Sequence, residues 1–260
     1  MNIASLRERI RHLEGVQARL SPEGESRRKG DWHLGVTSID AHLPDNVLPM
    51  RTLHDFTPDR SVNIPAVSAF VLMLLQRLPR RGPVLWCQTV ESRHEFGRPY
   101  GPGLAGGDPG PERLVFVSLE KPRLMVFALE EALRLPHLAA VLGEGPPLSF
   151  TETRRLSLIA QKTGVPCLFI NTQETGESSA AVTRWKVGPS AGPQNRHDER
   201  APGAFAWSLE LTRSRGGKPG SWEVFWNDDT HSFDTLSVSG HGTVHAHRLP
   251  PPHIAGRASA

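Results

Sequence analysis

Hydrophobic residues recur along most of this chain in two alternating patterns. Short apolar runs, typical of buried strands, occur at TLHDF (52–56), PVLWCQ (83–88), RLVFVSL (113–119), LAAVLGE (138–144) and VPCLFIN (165–171). Segments with helical spacing lie between them, at AVSAFVLMLLQRL (66–78), LMVFALEEALRL (124–135) and TETRRLSLIAQKTG (151–164). Strands that alternate with helices predict a mainly parallel sheet with helices on its faces. In the third helix we expect Thr151 to be the N-cap and Gly164 to end the helix.

After residue 180 the pattern changes to strict alternation of apolar and polar positions. AVTRWKVGP (181–189) places Trp185 on the core side of a strand. WSLELTR (207–213) and SWEVFW (221–226) are joined by a Gly-rich turn, which predicts an antiparallel hairpin. The fold class is therefore α/β, with a mixed, mainly parallel sheet and an appended C-terminal hairpin.

Three regions of the chain differ in composition. Residues 4–20 carry Leu6, Ile10, Leu13 and Leu20 near a helical period, and residues 21–31 are polar and turn-forming. The last residues, from 237, are rich in His, Pro and small side chains. We predict an N-terminal amphipathic helix and linker (1–31), one core domain (32–236) and a disordered tail (237–260). The helix either packs on the core or binds a partner groove.

Charge and cysteine content narrow the functional classes only slightly. The chain has 30 Lys and Arg against 27 Asp and Glu, and this excess is too small to indicate nucleic-acid binding by itself. Cys87 and Cys167 lie in apolar runs, which favours reduced core thiols. The N-terminus has no apolar leader region, and no apolar run is long enough to cross a bilayer. We expect a cytoplasmic protein without a membrane anchor.

The order of the predicted elements resembles the RecA-type ATPase core. Particular stretches resemble the ImuA family more closely, and together they span roughly residues 32–230. They are RGPVLWC (81–87), LAAVLGE (138–144), TRRLSLIAQKTGVPCL (153–168), AAVTRWKVGPS (180–190) and WSLELTRSRGGKPGSWEV (207–224). The segments AVTRWKV and RSRGGKPGSW are the most specific of these.

The resemblance implies a role in damage-induced (SOS) mutagenesis. Members of the family work beside an inactive Y-family polymerase homologue and an error-prone replicative-type polymerase subunit during translesion synthesis. They are also associated with RecA and are similar to the cell-division inhibitor SulA. The partners expected from the resemblance are therefore the inactive polymerase homologue and RecA, with the error-prone polymerase subunit bound indirectly.

The loop that corresponds to a nucleotide-binding P-loop is degenerate. A P-loop has the pattern G-x-x-x-x-G-K-[ST], in which backbone amides and the Lys hold phosphates and the hydroxyl holds magnesium. The loop TPDRSVNIPA (57–66) has neither Gly nor Lys, and Pro65 removes one amide donor. We therefore predict a degenerate phosphate loop around Thr57, Asp59, Arg60 and Asn63, with no cofactor and no catalysis.

Two glutamates lie near positions where RecA-type ATPases carry catalytic acids. Glu144 ends a strand, where an acid would coordinate magnesium, but without a P-loop we favour a solvated loop carboxylate. Glu91 follows PVLWCQ, and we favour a surface charge over a water-orienting residue. The two loops that hold DNA in RecA correspond to GEGPPLSF (143–150) and TQETGESSA (172–180), which contain no Lys or Arg. RecA-like filament formation on DNA is therefore not expected.

Cations and an aromatic residue cluster in the hairpin turn. Arg213, Arg215 and Lys218 lie close to Trp222 in the sequence, a composition common at interfaces. This turn either contacts an acidic partner surface, a RecA protomer or DNA, or is a solvated tip whose Gly pair makes the turn. The run HGTVHAH (241–247) lies in the predicted tail, where no rigid framework supports a metal site, and we predict none.

The leading hypothesis from the sequence is a RecA-like accessory protein without catalysis. Three alternatives stay open: a divergent RecA-class ATPase, a module that recruits polymerase to single-stranded DNA, and a division inhibitor like SulA. The DNA-binding alternative requires binding that weakens steeply with salt.

Overall fold

The computed structural model of the protein describes residues 31–104, 107, 109–173, 178–194 and 200–236. The predicted N-terminal helix (4–20), the tail (237–260) with its His run, and Glu174 and Glu177 lie outside these residues. Within the described ranges, no helix is long and apolar enough to cross a membrane.

The described residues form one nine-stranded mixed sheet. Its strands are β1 Leu53–Pro58, β2 Val84–Thr89, β3 Leu114–Leu119, β4 Ala140–Gly145, β5 Cys167–Asn171, β6 Thr183–Pro189, β7 Ala206–Ser214, β8 Gly220–Asn227 and β9 Ser232–Thr235. They are arranged in the order β3-β2-β4-β5-β1-β6-β7-β8-β9. The pairs from β3 to β6 are parallel, and those from β6 to β9 are antiparallel. The predicted fold class, including the appended hairpin, is confirmed.

Five α-helices connect or flank these strands in the described part of the chain. They are α1 Thr37–Asp40, α2 Ile64–Gln76, α3 Val90–Phe96, α4 Leu124–Leu133 and α5 Phe150–Thr163. Three of the helices and strands were not predicted from the sequence, and the first of them, α1, has only four residues. Helix α3 is mostly polar, and it begins because the Thr89 side chain accepts a hydrogen bond from Ser92 N. Strand β9 has only four residues, too few to show an alternation, but it buries Phe233 against Phe70 and Trp226.

Two hydrophobic cores cover the two faces of the sheet. One packs α2 and the segment before β1 (residues 32–52) on large side chains that include Phe56, Trp86, Trp185 and Trp207. The other packs α4 and α5 on smaller ones, including Leu85, Val141 and Phe169. Cys87 and Cys167 are buried and free there, as predicted. Trp185 is buried as well, which confirms its predicted core position.

A segment before β1 folds over α2. The Trp32 indole N–H donates to Leu74 O, and the backbone amides of Leu34 and Gly35 donate to the Asp40 carboxylate. Burial raises the pKa of that carboxyl, although the two amide bonds oppose the shift. These contacts fix α1 and the following His42 in place, close to the turn between β7 and β8.

The start of α5 differs from the prediction. Ser149, not Thr151, is the N-cap: its hydroxyl accepts from Glu152 N, while the Glu152 carboxylate accepts from Ser149 N. This reciprocal pair is a capping box, and it moves the first helical residue to Phe150. Gly164 ends the helix in the left-handed conformation with φ of 78°, as expected.

The corrected cap predicts different costs for two neighbouring hydroxyl deletions. Ser149→Ala should lower the free energy of unfolding by about 1 kcal/mol, because the Glu152 amide at the helix start loses its acceptor. Thr151→Ala, at an exposed position inside the first turn, should change it by less than about 0.5 kcal/mol. Urea unfolding followed by circular dichroism measures both. A larger loss for Thr151→Ala than for Ser149→Ala would restore the original assignment.

Candidate functional site

The loop between β1 and α2 is organised around the Asp59 carboxylate. Its Oδ1 accepts from Arg60 N at 2.9 Å and from Asn63 Nδ2 at 2.7 Å. Asp59 N donates to Val187 O at 3.0 Å and so extends the pairing of β1 with β6. The carboxylate also lies so close to the α-carbon of Gly188 that a Cβ there would overlap it. A negatively charged side chain thus fills the turn in which a P-loop would hold phosphate.

The four residues predicted around this loop are only partly brought together. Asp59, Arg60 and Asn63 form the hydrogen-bonded turn, and α2 follows it with Pro65 in its first turn. Thr57 lies within β1, where its hydroxyl accepts from Asn171 Nδ2 at 3.4 Å. One of the backbone amides available for anion binding is therefore already used by Asp59.

Glu144 is not the solvated loop carboxylate that the sequence suggested. It lies inside β4 and is 1% exposed. Its carboxylate accepts hydrogen bonds from Gln88 Nε2, at 3.2 Å to each oxygen, and from the Ser92 hydroxyl. Burial raises its pKa, while these donors oppose the shift. Glu91 is exposed on α3, as expected for a surface charge.

Glu144 and Gln88 belong to the wall of a cavity of about 250 Å³. The two residues lie opposite each other in the parallel pair of β4 and β2. A polar pair at matching positions of two neighbouring strands marks a polar site rather than two solvated strand ends. The sequence analysis considered Glu144 alone and therefore did not find the pair. Trp86 precedes Gln88 by two residues on the same face and lines the same cavity.

The hairpin turn between β7 and β8 is tied to the segment before β1. His42 Nδ1 donates to Pro219 O at 2.9 Å, and Lys218 N donates to His42 O at 2.9 Å. Trp222 is half-buried and packs edge-on against the His42 ring, with 4.9 Å between centroids. Arg215 and Lys218 are exposed at the turn. Lys218 and Trp222 thus share His42 as a support, and the exposed Arg215 lies in the same turn.

Arg213 takes part in a different cluster. An irregularity in the pairing of β6 and β7, between Arg184 and Trp185, places Arg213 directly opposite Arg184. Side chains of directly opposed residues share one face of the sheet. Arg213 Nη1 donates to Ser179 O at 3.0 Å, and Arg184 Nε lies 3.9 Å from Asp55 Oδ2.

Asp55 is the centre of this second cluster, and the sequence analysis did not single it out. It is 4% exposed, and burial raises its pKa to about 6 against the opposing effects of Ser179 and Arg184. Its Oδ1 has no hydrogen-bond partner among the described residues. We call Asp55, Ser179, Arg184 and Arg213 the Asp55 cluster.

The hairpin turn and the Asp59 loop lie at opposite ends of the parallel strands. Ser214, the last residue of β7, pairs with Thr183, the first residue of β6. Asp59 follows the last residue of β1, and Glu144 is near the end of β4. The carboxyl end of the sheet therefore carries the degenerate phosphate loop and the cavity, whereas the hairpin turn lies at the amino end.

Comparison with known proteins places the chain in a family. No model of a known protein family matches it. The curated protein ImuA from two strains of Caulobacter vibrioides, NA1000 / CB15N and ATCC 19089 / CIP 103742 / CB 15, is 31% identical over 206 residues. The match covers 73% of this chain and 80% of ImuA. The chain belongs to the ImuA family. The resemblance seen in the sequence is thereby confirmed.

The fold of this ImuA-family protein has a counterpart among solved structures. A crystal structure of the RadB recombinase is similar, with a TM-score of 0.52 and 12% sequence identity. The similarity covers 79% of this chain and 99% of the recombinase chain. At this identity the likeness shows the fold alone, and it is that of a RecA-like α/β domain.

The Asp55 cluster predicts a pH-dependent stability difference. Because the folded-state pKa is raised from 3.8 to about 6, Asp55 contributes stability below pH 4 that is lost as the pH rises through 6. At about 1.4 kcal/mol per pKa unit, Asp55→Asn should become more stable relative to wild type by about 2–3 kcal/mol between pH 4 and pH 8. Urea unfolding across this range measures the difference.

The matched control is Asp228→Asn, at an exposed position. Its stability difference from wild type should stay within about 0.5 kcal/mol at every pH. The neighbouring His54, whose pKa burial lowers to about 4, titrates in wild type and variants alike, so its contribution cancels in the difference. A pH-independent difference for Asp55→Asn would show that this carboxyl does not titrate as a buried group.

Proposed function

We propose that this ImuA-family chain is a non-catalytic, cytoplasmic accessory protein of the SOS mutagenesis complex. It binds an inactive Y-family polymerase homologue and RecA and so supports error-prone translesion synthesis. The proposal that the protein is non-catalytic rests on the Asp59 carboxylate, which lies inside the loop between β1 and α2.

Electrostatics at this loop oppose nucleotide binding. A unit negative charge about 4 Å from the Asp59 carboxylate would be repelled by about 4 kcal/mol at an effective dielectric constant near 20, and a triphosphate carries more than one charge. A P-loop offsets such repulsion with a Lys and a set of amides that point into the turn. Here the loop contains no Lys, and Asp59 already accepts from Arg60 N.

The hairpin turn supports the partner-binding part of the proposal. Arg215 and Lys218 are exposed and lie beside the half-buried Trp222. A rigid turn with exposed cations and an aromatic side chain suits an acidic partner surface, since little conformational freedom is lost when it binds. The hydrogen bonds to His42 supply this rigidity.

A second candidate function, a divergent ATPase, is favoured by one observation. Glu144 is a buried acid near the carboxyl end of β4, where an acid of RecA-like ATPases would meet the nucleotide's magnesium. Its carboxylate, however, already accepts from Gln88 and Ser92. We therefore place this function second.

Nucleotide binding separates the two candidates. Titration of Mg-ATP into the protein by calorimetry should show no saturable binding tighter than about 1 mM, and turnover should not exceed that of a buffer blank. The physical reason is the Asp59 carboxylate inside the loop, where no Lys is present and the Arg60 amide is already used. ATP hydrolysis that is present in wild type and lost in Glu144→Gln or Arg60→Ala would instead establish the ATPase.

Partner capture tests the accessory role. The purified protein should capture its cognate inactive polymerase homologue and RecA equally well with and without ATP. Replacing Arg215 and Lys218 together with Ala should reduce capture at least tenfold, because the exposed positive charge of the turn is removed while Arg213 and the Asp55 cluster stay intact. Quantitative pull-down of the purified proteins measures this.

The matched control replaces two exposed cations elsewhere, Lys121 and Arg154, with Ala, and it should leave capture unchanged. Capture that appears only with ATP, or that both double variants lose equally, would contradict the proposal. Another alternative is DNA binding through the turn. It requires retention on single-stranded DNA that falls steeply as salt rises.

A further inference from the structure

The cavity beside Glu144 lies between α2 and the loop that follows α3. Its walls are mainly apolar and include Ala69, Leu72, Met73, Phe96 and Leu104. Two rim residues are largely exposed, Tyr100 at 76% and Phe205 at 64%. With a volume of about 250 Å³, the cavity is large enough for one large side chain. Apolar cavities with exposed aromatic rims are typical of places where a partner inserts an anchor residue.

Polar groups at the cavity wall lack partners. Gln88 Oε1 is buried and has no hydrogen-bond partner among the described residues. The Trp86 indole N–H makes no bond of normal geometry either, although it lies near enough to the Glu144 carboxylate to lower its pKa. A buried acceptor without a partner is unfavourable, so an occupant whose donor reaches Gln88 Oε1 would bind more tightly than one without a donor.

Charge around the cavity restricts the chemistry of the occupant. The buried Glu144 carboxylate excludes an anion, because two like charges would meet at low dielectric. Arg98 also lines the cavity, with its guanidinium 5.2 Å from the centre of the Phe116 ring, and it disfavours a second cation. The remaining class is a neutral, largely apolar group with a hydrogen-bond donor. An indole fits this description, since it combines a large apolar ring with a single N–H donor.

We expect such a group to come from a partner protein. The first 30 and the last 24 residues of this chain contain no Phe, Trp or Tyr. The exposed Tyr100 and Phe205 extend the apolar surface beyond the cavity, which suits a side chain carried on a polypeptide rather than a free small molecule.

We propose that this cavity receives a tryptophan side chain of a partner protein, whose indole N–H donates to Gln88 Oε1 and whose ring packs between α2 and the Gly97–Leu104 loop. This inference rests on the proposed partner-binding role and specifies one of its contacts. The contact is at the carboxyl end of the sheet, and it is independent of the hairpin turn at the other end.

The first test uses N-acetyl-L-tryptophanamide as the probe. The indole N–H resonance of Trp86, assigned with Trp86→Phe, should shift saturably in the NMR spectrum of the labelled full chain. The 1-methyltryptophan analogue, which lacks the donor, should bind at least tenfold more weakly, since tenfold corresponds to about one lost buried hydrogen bond. Absence of a saturable shift, or equal binding of the methylated analogue, would overturn the inference.

Two variants and one control locate the binding. Ala69→Leu fills the cavity from α2 and should abolish the shift, and Gln88→Met keeps the volume but removes the acceptor and should weaken binding about tenfold. Because the two variants act on different parts of the cavity, failure of one to fold leaves the other as a test. Phe150→Ser removes an exposed aromatic residue on α5 and should change nothing. Binding unaffected by either folded cavity variant would overturn the inference.

Two further outcomes separate this inference from the proposed function. Adenosine or guanosine that shifts the same resonance at lower concentration than the tryptophan probe would show that the cavity is a nucleoside site and overturn the inference. Capture of the polymerase homologue and RecA by Ala69→Leu at wild-type strength would also overturn it, while the proposed function would stand. Failure of the wild-type chain to capture either the polymerase homologue or RecA would instead refute the proposed function.

Discussion

The central strand β1 is the constraint on which the rest of the molecule depends. It pairs in parallel with β5 on one side and with β6 on the other, so its backbone is hydrogen-bonded along both edges. The two hydrophobic cores cover its two faces. Its polar side chains must therefore find partners inside the protein. His54 bonds to Pro49 O and the Thr183 hydroxyl, and it is held neutral by burial, which lowers its pKa to about 4. On the opposite face Asp55 meets Arg184 and Ser179.

The strand also determines what its following loop can do. A RecA-like sheet delivers the loop after its central strand to the carboxyl end, where nucleotides bind in α/β folds. In this chain the same loop is closed on itself by Asp59, and the neighbouring strand ends carry Gln88 and Glu144 beside an apolar cavity. The scaffold is that of a RecA-like domain, and this end of its sheet carries the Asp59 turn beside a mainly apolar cavity with buried polar groups in its wall.

The sequence predicts the elements well because their apolar periods are strong. The strands β1 to β8 and the helices α2, α4 and α5 follow runs whose burial matches the expected faces. The misses have physical causes. Helix α1 and strand β9 have only four residues each, α3 is polar, and the cap of α5 depends on a choice between two hydroxyls two residues apart. Such choices depend on side-chain geometry, which a hydrophobic pattern does not contain.

The candidate sites were harder to predict than the fold. Asp55 and Glu144 lie within buried strands, whereas a charge in a sequence is normally assigned to solvent. The degenerate loop, by contrast, was visible from its missing Gly and Lys. Arg213 appeared to belong with Arg215 and Lys218, yet the irregularity in the pairing of β6 and β7 turns it toward Arg184. A one-residue irregularity changes the face of every following side chain, so no spacing rule could have placed it.

The attachment of the hairpin turn to His42 has a mechanical consequence. The turn is bonded directly to the segment before β1 through His42, so a force on the turn would act on that segment without first acting on the sheet. Gly217 makes this close approach possible, since a Cβ there would overlap the His42 carbonyl oxygen. The same segment is anchored on α2 through Trp32. The hairpin turn at one end of the domain is therefore connected, through the segment before β1, to the helix that forms one wall of the cavity at the other end.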